Sequence, residues 1–320
     1  GQPRESLRTV YGRIDQDIDR AIELLEKARE TTLAENNKSH INLYVALGIK
    51  SRACLAEGDW DGAFKAAKRV IDEGGYAVGT KSDLTSGMNS LDKQNVMWGA
   101  GIQVADQAGG YAGFFTHMDN KEGAYAKSAP KLISKQLYNR ISATDIRRDW
   151  WDPSDKESPY VSKKFSFANV ASFLGDYIYM RVEEMYFTAA EAALRLDDLK
   201  SARELMNTVM AERDPGYSAN NRSGTLLGAT TTTWTGSFLE NILTHRRIEL
   251  WGEYGRLFDV RRLGQGIDRR TDDGFSEECI SMMNRRNVNI TKADTYDWVL
   301  TIPKAELDAN PNINEEDQNP

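Results

Sequence analysis

Val10, Ile14, Ile18, Ala21, Ile22 and Leu25 recur at steps of three and four residues. That spacing predicts an amphipathic helix running to about Ala28, with Asp15, Asp17, Asp19, Glu23 and Glu26 largely on its wet side. Polar residues 31–39 break the pattern, and a second apolar-periodic run extends from Ile41 to Leu55. Gly58-Asp59-Trp60 reads as a tight turn, after which Ala63, Phe64, Ala67, Val70 and Ile71 carry a third helix. Gly74-Gly75 closes it, because a helix often ends on a left-handed residue and glycine adopts that backbone without a Cβ clash.

The segment Ile41–Tyr76 is therefore a helix–turn–helix, with small residues (Ala53, Ala63, Ala67) where two helices must come close. Its length, glycine turn and following aromatic match a tetratricopeptide-type hairpin. A second such unit spans Tyr179–Arg213: Val182, Met185, Tyr186, Ala189, Ala190 and Ala193 line one helix, and Ala202, Leu205, Met206 and Val209 the next. The turns share a layout, Glu57-Gly-Asp-Trp-Asp-Gly-Ala63 against Leu196-Asp-Asp-Leu-Lys-Ser-Ala202. The two units are far apart in the chain, so the repeat is interrupted. Residues 76–178 supply the interruption, rich in Gly, Ser and Asn with scattered aromatics. Within them Val96–Val104 reads as a short strand and Ile133–Ile141 as a short helix; the rest reads as long loops of the kind that carry function. A last helix is expected from about Gly236 to Arg262, then a polar tail with a short strand at Trp298–Ile302. The expected fold class is mainly α: tetratricopeptide-like helical hairpins with long irregular loops and a few short strands. One domain is expected, divided into a hairpin region (1–75), a loop-rich aromatic insert facing ligand (76–178), a second hairpin with a long helix (179–264) and an irregular tail (265–320).

Composition narrows the function. With 320 residues, 40% apolar and 28% charged, the chain can bury a sizeable core, and seven Trp, thirteen Tyr and ten Phe argue against disorder. A net charge of −7 disfavours a nucleic-acid partner and leaves sugars open. Cys54 and Cys279 have no zinc or disulfide-scaffold spacing, and Cys54 reads as a buried thiol. Ser223–Leu239 is too polar for a membrane span. No HExxH, Walker loop or GxSxG elbow is present, and His40, His117 and His245 have no i,i+4 partner. His117, in the aromatic region, is more simply a surface histidine than a ligand contact. Asp268, Asp272 and Asp273-Gly274 miss the calcium-loop pattern. Neither metal nor cofactor is expected. Arg181/Glu184, Arg246/Glu249, Glu253/Arg256, Arg256/Asp259 and Asp259/Arg262 are each three apart, the spacing of structural ion pairs on a helix rather than of catalytic carboxylates.

The aromatics are the better lead, because a flat ring offers area to the C–H face of a sugar while Asn, Gln, Asp and Arg answer its hydroxyls. Trp150-Trp151, set between Arg147-Arg148-Asp149 and Asp152-Pro153, fits that mixture. Adjacent residues on a helix or strand cannot both face one core, so one indole is expected on display. Tyr111, Phe114 and Phe115, around a Gly-rich loop, and Trp234, in a Thr-rich one, complete the candidate ligand contacts. Trp60, Trp98 and Trp298 read as structural.

Three segments, in order, carry a resemblance. Arg181-Val-Glu-Glu-Met-Tyr-Phe-Thr-Ala-Ala-Glu191-Ala192 is similar to R-x-x-E-x-x-L-x-x-A-E-A, with Phe187 for Leu. Arg246-Arg-Ile-Glu249-Leu250-Trp-Gly-Glu253-Tyr-Gly-Arg256-Leu-Phe-Asp259-Val-Arg-Arg262-Leu-Gly264 is similar to E-R-x-x-E-L-x-x-E-G-x-R-x-x-D-L-x-R-x-G, with His245 for Glu and Tyr254 for Gly. Ile302-Pro303-x-x-Glu306, Asn310-Pro311 and the closing Asp317-Gln318-Asn319-Pro320 are similar to I-P-x-x-E…N-P…Q-N-P. Met210 and Glu212 depart from the usual Arg-rich run after Asn207. The chain thus resembles the SusD/RagB family of outer-membrane nutrient-binding lipoproteins. That resemblance implies an outward-facing outer-membrane lipoprotein, not an enzyme. It would capture oligosaccharide and pass it to a SusC-like TonB-dependent transporter. It also implies a signal peptide, a lipidated cysteine and a helical region ahead of the segments matched, so the chain is expected to be the C-terminal two-thirds or so of a longer protein, or a short member. The alternative from the helical pattern alone is a tetratricopeptide-like protein–protein adaptor without glycan binding. A glycosidase using two of the 48 carboxylates is a third, weaker reading.

Overall fold

A computed structural model describes residues 1–31, 37–106, 113–220, 222, 236–266 and 299–319. Among these, α1 (Leu7–Thr31), α2 (Leu43–Glu57) and α3 (Trp60–Glu73) occupy the first part of the chain. Asn42 caps α2 by accepting from the Tyr44 and Val45 amides, and Asp59 caps α3 through the Gly62 amide. The second pair is α8 (Val182–Arg195) and α9 (Leu199–Ala211), the latter capped by Asp198 through the Ser201 amide.

The kinship of the two turns extends to backbone angles. Gly58 lies in the left-handed region at φ 88° and the matching Asp197 at φ 63°, each directly before the capping aspartate. A left-handed residue is what lets the chain reverse within one step of the helix end. α3 packs on α8, so the hairpins lie side by side, with Ala63, Ala66 and Ala67 on α3 and Ala189, Ala190, Ala192 and Ala193 on α8 all buried. Leu47, Val70, Met180, Phe187, Met206 and Ile242 belong to the same core. α1 uses only part of its apolar face. Ile18, Ile22 and Leu25 pack on the core, while Leu7, Val10 and Ile14 are exposed.

Between the hairpins the chain forms α4 (Lys81–Leu84), β1 (Val96–Ala100), α5 (Phe114–Met118), α6 (Ala124–Ser128) and α7 (Lys135–Tyr138). A 3₁₀ turn at Ile146–Trp150 follows, then β2 (Trp151–Asp152), β3 (Val161–Ser162) and β4 (Tyr177–Arg181). The strands form two antiparallel pairs, β1 with β4 and β2 with β3. The insert is thus less loop-like than its composition suggests, because many of its turns close on short capped helices.

The long helix expected over 236–262 is two, α10 (Phe238–Glu249) and α11 (Arg256–Arg262). Gly252 at φ 75° and Gly255 at φ 109° take the chain through left-handed backbone between them. The tail carries α12 (Lys304–Ala309), and residues 299–302 are not strand; Trp298 lies outside the described residues. Gln318 clamps Ile302 by accepting from its amide at 2.8 Å and donating to its carbonyl at 3.0 Å. Among the described residues no helix is long and apolar enough to cross a membrane.

Candidate functional site

Where the expected helix breaks, the charged residues of the second motif turn inward. Glu249 is fully buried and accepts from Arg181 (3.0 Å), Arg213 (3.0 Å) and Arg147 (3.1 Å), which come from three different segments. Arg213 also pairs with Glu183 (2.8 Å), Arg147 with Asp145 (2.6 Å) and Arg181 with Glu253 (2.8 Å), while Lys164 reaches Glu253 and two main-chain carbonyls. Four cations (Arg147, Lys164, Arg181, Arg213) thus meet four carboxylates (Asp145, Glu183, Glu249, Glu253) with no excess charge. Burial alone would raise the Glu249 carboxyl, but the guanidiniums of Arg213, Arg181 and Arg147 hold it well below the usual range. Burial pulls the Lys164 ammonium down to about 8 against the opposing charge of Glu253. His245 accepts at Nδ1 from Arg147 (2.8 Å), and burial followed by that guanidinium pushes its pKa well below the ordinary value, so the ring is neutral.

The ion pairs expected within one helix are therefore mostly contacts between elements. Asp259/Arg262 closes along α11 at 2.7 Å, whereas Arg246 pairs with Asp259 and Glu184, and Glu184 with Arg52. Each of these carboxylates is matched to a cation inside the protein, which is a structural arrangement and leaves none of them poised for proton transfer.

The candidate ligand contacts fare differently. Trp150 and Trp151 are both buried, at 2% and 1% exposure, and the expectation that one indole is displayed fails. The reason is a change of backbone between them. Trp150 ends the 3₁₀ turn and Trp151 begins β2, so the alternation rule for a single element does not apply, and both rings enter one cluster with Leu84, Ile133 and Ile248. The rings meet edge-on at 5.8 Å, and Trp150 Nε1 donates to the Leu84 carbonyl at 2.8 Å. Phe115 is likewise buried, and Phe114, half-buried, meets Phe115 and Phe165 edge-on. This cluster fills a second small core and offers no platform. Tyr111 and Trp234 lie outside the described residues, as do Cys279 and the aspartates at 268, 272 and 273. His117 is exposed and stacks on Tyr125, with centroids 4.6 Å apart and planes 6° from parallel.

The segment around Trp151 nonetheless borders an open cavity of about 430 Å³. Its wall includes Trp151 and Tyr138; its polar members are Lys81, Thr144, Asp145, Arg148, Asp149, Asp152 and Lys163. The Arg148 guanidinium carbon lies over the Tyr138 ring, 4.3 Å from its centroid, with one N–H donated to the Ile141 carbonyl at 2.7 Å. Asp152 accepts from the amide and hydroxyl of Ser154 and lies 3.8 Å from Lys163. The sequence pattern pointed to this segment through the mixture of tryptophan with Arg148, Asp149 and Asp152. It missed Lys81, Tyr138 and Lys163, which arrive from other elements. Among the described residues no cluster of His, Cys, Asp and Glu is arranged to hold a metal ion.

A model of the SusD family matches residues 116–320. The chain belongs to the SusD family. Its fold is similar to solved structures of SusD-like proteins. One is a SusD-like carbohydrate binding protein from Bacteroides vulgatus, at 26% identity and a TM-score of 0.79 over 99% of this chain and 67% of that one. A SusD superfamily protein from Bacteroides thetaiotaomicron matches at 23% identity and a TM-score of 0.71, over 95% of this chain and 66% of that one. The surface glycan-binding protein A of Bacteroides uniformis shares the fold at 16% identity and a TM-score of 0.65, over 99% of this chain and 70% of that one. This SusD-family chain spans about two-thirds of the length of the first two. No curated protein matches it.

Proposed function

We propose that this SusD-family chain binds a glycan at the cell surface, with the cavity beside Trp151 as its sugar-facing site, and passes the ligand without cleavage to a SusC-like TonB-dependent transporter in the outer membrane. The cavity carries the reading. It sets an Arg148–Tyr138 stack and an indole edge among ammonium, hydroxyl and carboxylate groups, in a member of a family that includes a SusD-like carbohydrate binding protein. Trp151 and Tyr138 are buried and only back this wall, so its polar groups supply the partners for sugar hydroxyls. An outward-facing location anchored through a lipid is part of the same proposal and rests on the family. Phe114 and Phe115 pack in a separate cluster and Tyr111 and Trp234 lie outside the described residues, so the contact role proposed here falls to Arg148, Asp149 and Asp152.

Isothermal calorimetry against a panel of oligosaccharides tests the binding. The Arg148→Ala, Asp149→Ala, Asp152→Ala triple variant, its folding checked by thermal melting, should lose most of the affinity. A panel with no binder, or a triple variant that binds as the parent does, would refute the assignment. Appearance of new reducing ends in the bound oligosaccharide would refute the non-catalytic part.

A further inference from the structure

We infer that the cavity takes a sugar residue carrying an acidic group, a carboxylate or a sulfate; the inference rests on the glycan reading above and narrows it. The warrant is a pair of cations on the wall, Lys81 and Arg148, that stand outside any ion pair among the described residues. Asp145 faces Arg147, which holds it through two bonds, Nε to Oδ1 at 3.0 Å and the terminal nitrogen to Oδ2 at 2.6 Å. Asp152 and Lys163 oppose one another at 3.8 Å. What remains is Lys81 and Arg148, neither in an ion pair among the described residues, with Asp149 on the same wall and Asp214 behind it, bonded to Thr144 at 2.5 Å.

Arg148 is suited to the task by its restraint. One of its N–H donors is taken by the Ile141 carbonyl, and its guanidinium rests over the Tyr138 ring, so two contacts restrain it before a ligand arrives. A guanidinium held in this way meets a carboxylate or sulfate with paired N–H donors, a match that an ammonium or an amide lacks.

The test compares oligogalacturonate with its methyl ester, which keeps the sugar and removes the charge, and with sulfated dextran fragments, by calorimetry at pH 7. The expected result is an acidic probe bound about tenfold or more tightly than the ester, an advantage that shrinks as sodium chloride is raised to about 0.5 M. Binding of the sulfated fragments in place of the uronate supports the inference with sulfate as the acidic group. Arg148→Gln and, separately, Lys81→Gln should each remove most of the advantage. Equal affinity for acid and ester overturns the inference and leaves the glycan reading standing. So does a neutral panel member that binds, loses affinity on Arg148→Gln, and has no acidic competitor. A chain that binds no glycan at all brings down both.

Discussion

Replacing Glu249 by Gln keeps the shape of the side chain and removes its charge. In the parent, four buried cations face four buried carboxylates; the variant leaves one positive charge in excess, shared by Arg147, Arg181 and Arg213 at distances of 3.0–3.1 Å from the altered group. Those guanidiniums keep Asp145, Glu183 and Glu253 as partners, so the loss is that of one member of a network rather than of the whole. Breaking a buried pair from one side costs about 3–5 kcal/mol, because the abandoned charge stays out of water. For a chain of this length each kcal/mol corresponds to about 2 °C, so the melting midpoint should fall by roughly 6–10 °C. Differential scanning calorimetry on the parent and variant reads this directly. Glu23→Gln is the control, since Glu23 pairs with Arg20 and Lys27 at the surface, and its midpoint should not move measurably. A Glu249→Gln midpoint within about 1 °C of the parent would show that the network is not holding the segments together, and the structural account of the second motif would fail.

Three further outcomes follow. Glu249, Glu253, Glu191 and Asp259 are all held below their ordinary pKa in the fold, so the stability they contribute is complete above the unfolded values near 4 and drains away as pH falls through the folded ones; urea midpoints should therefore drop steeply below about pH 4, and a flat profile from pH 7 to 3 would contradict the assignment. Burial, with Asp59 adding to it, pushes the Cys54 thiol up to about 12, so mass mapping after iodoacetamide at pH 8 should find Cys54 unmodified until urea is added; labelling of the native protein at that position would show the helix pair to be open. Gly252→Ala should cost about 2–4 kcal/mol, combining left-handed strain with a methyl that would sit 2.6 Å from the Phe165 ring; an unchanged urea midpoint would mean that the break between α10 and α11 does not need glycine.

The helical hairpins were legible because their information is local. Periodicity, the capping Asp59 and Asp198 and the left-handed Gly58 all lie within a few residues of what they determine. The partners of Glu249 were not, since spacing along a helix identifies neighbours only while the helix continues, and here it stops. Gly252 and Gly255 were the available signal, two breakers inside an otherwise periodic run. The tryptophan pair shows a related failure. Alternation of faces is a rule about one element, and Trp150-Trp151 straddles a junction between two. The cavity was half legible: Arg148, Asp149, Trp151 and Asp152 fall within one five-residue window, but Lys81 and Tyr138 reach it through tertiary packing that no short window contains. Nor did residue type distinguish buried rings from displayed ones. Tyr125 and Tyr179 stand at 40% and 41% exposure while both members of the tryptophan pair are inside.

Trp151 lines the cavity and also meets Trp251 edge-on at 5.7 Å, within the packing that joins the insert to α10. The floor of the cavity is thus inherited from the fold and is costly to vary, whereas the rim at Lys81, Asp149, Asp152 and Lys163 can be exchanged with little effect on stability. Diversification of ligand preference in such a chain has an inexpensive route: conserve the indole beneath, and rewrite the polar edge.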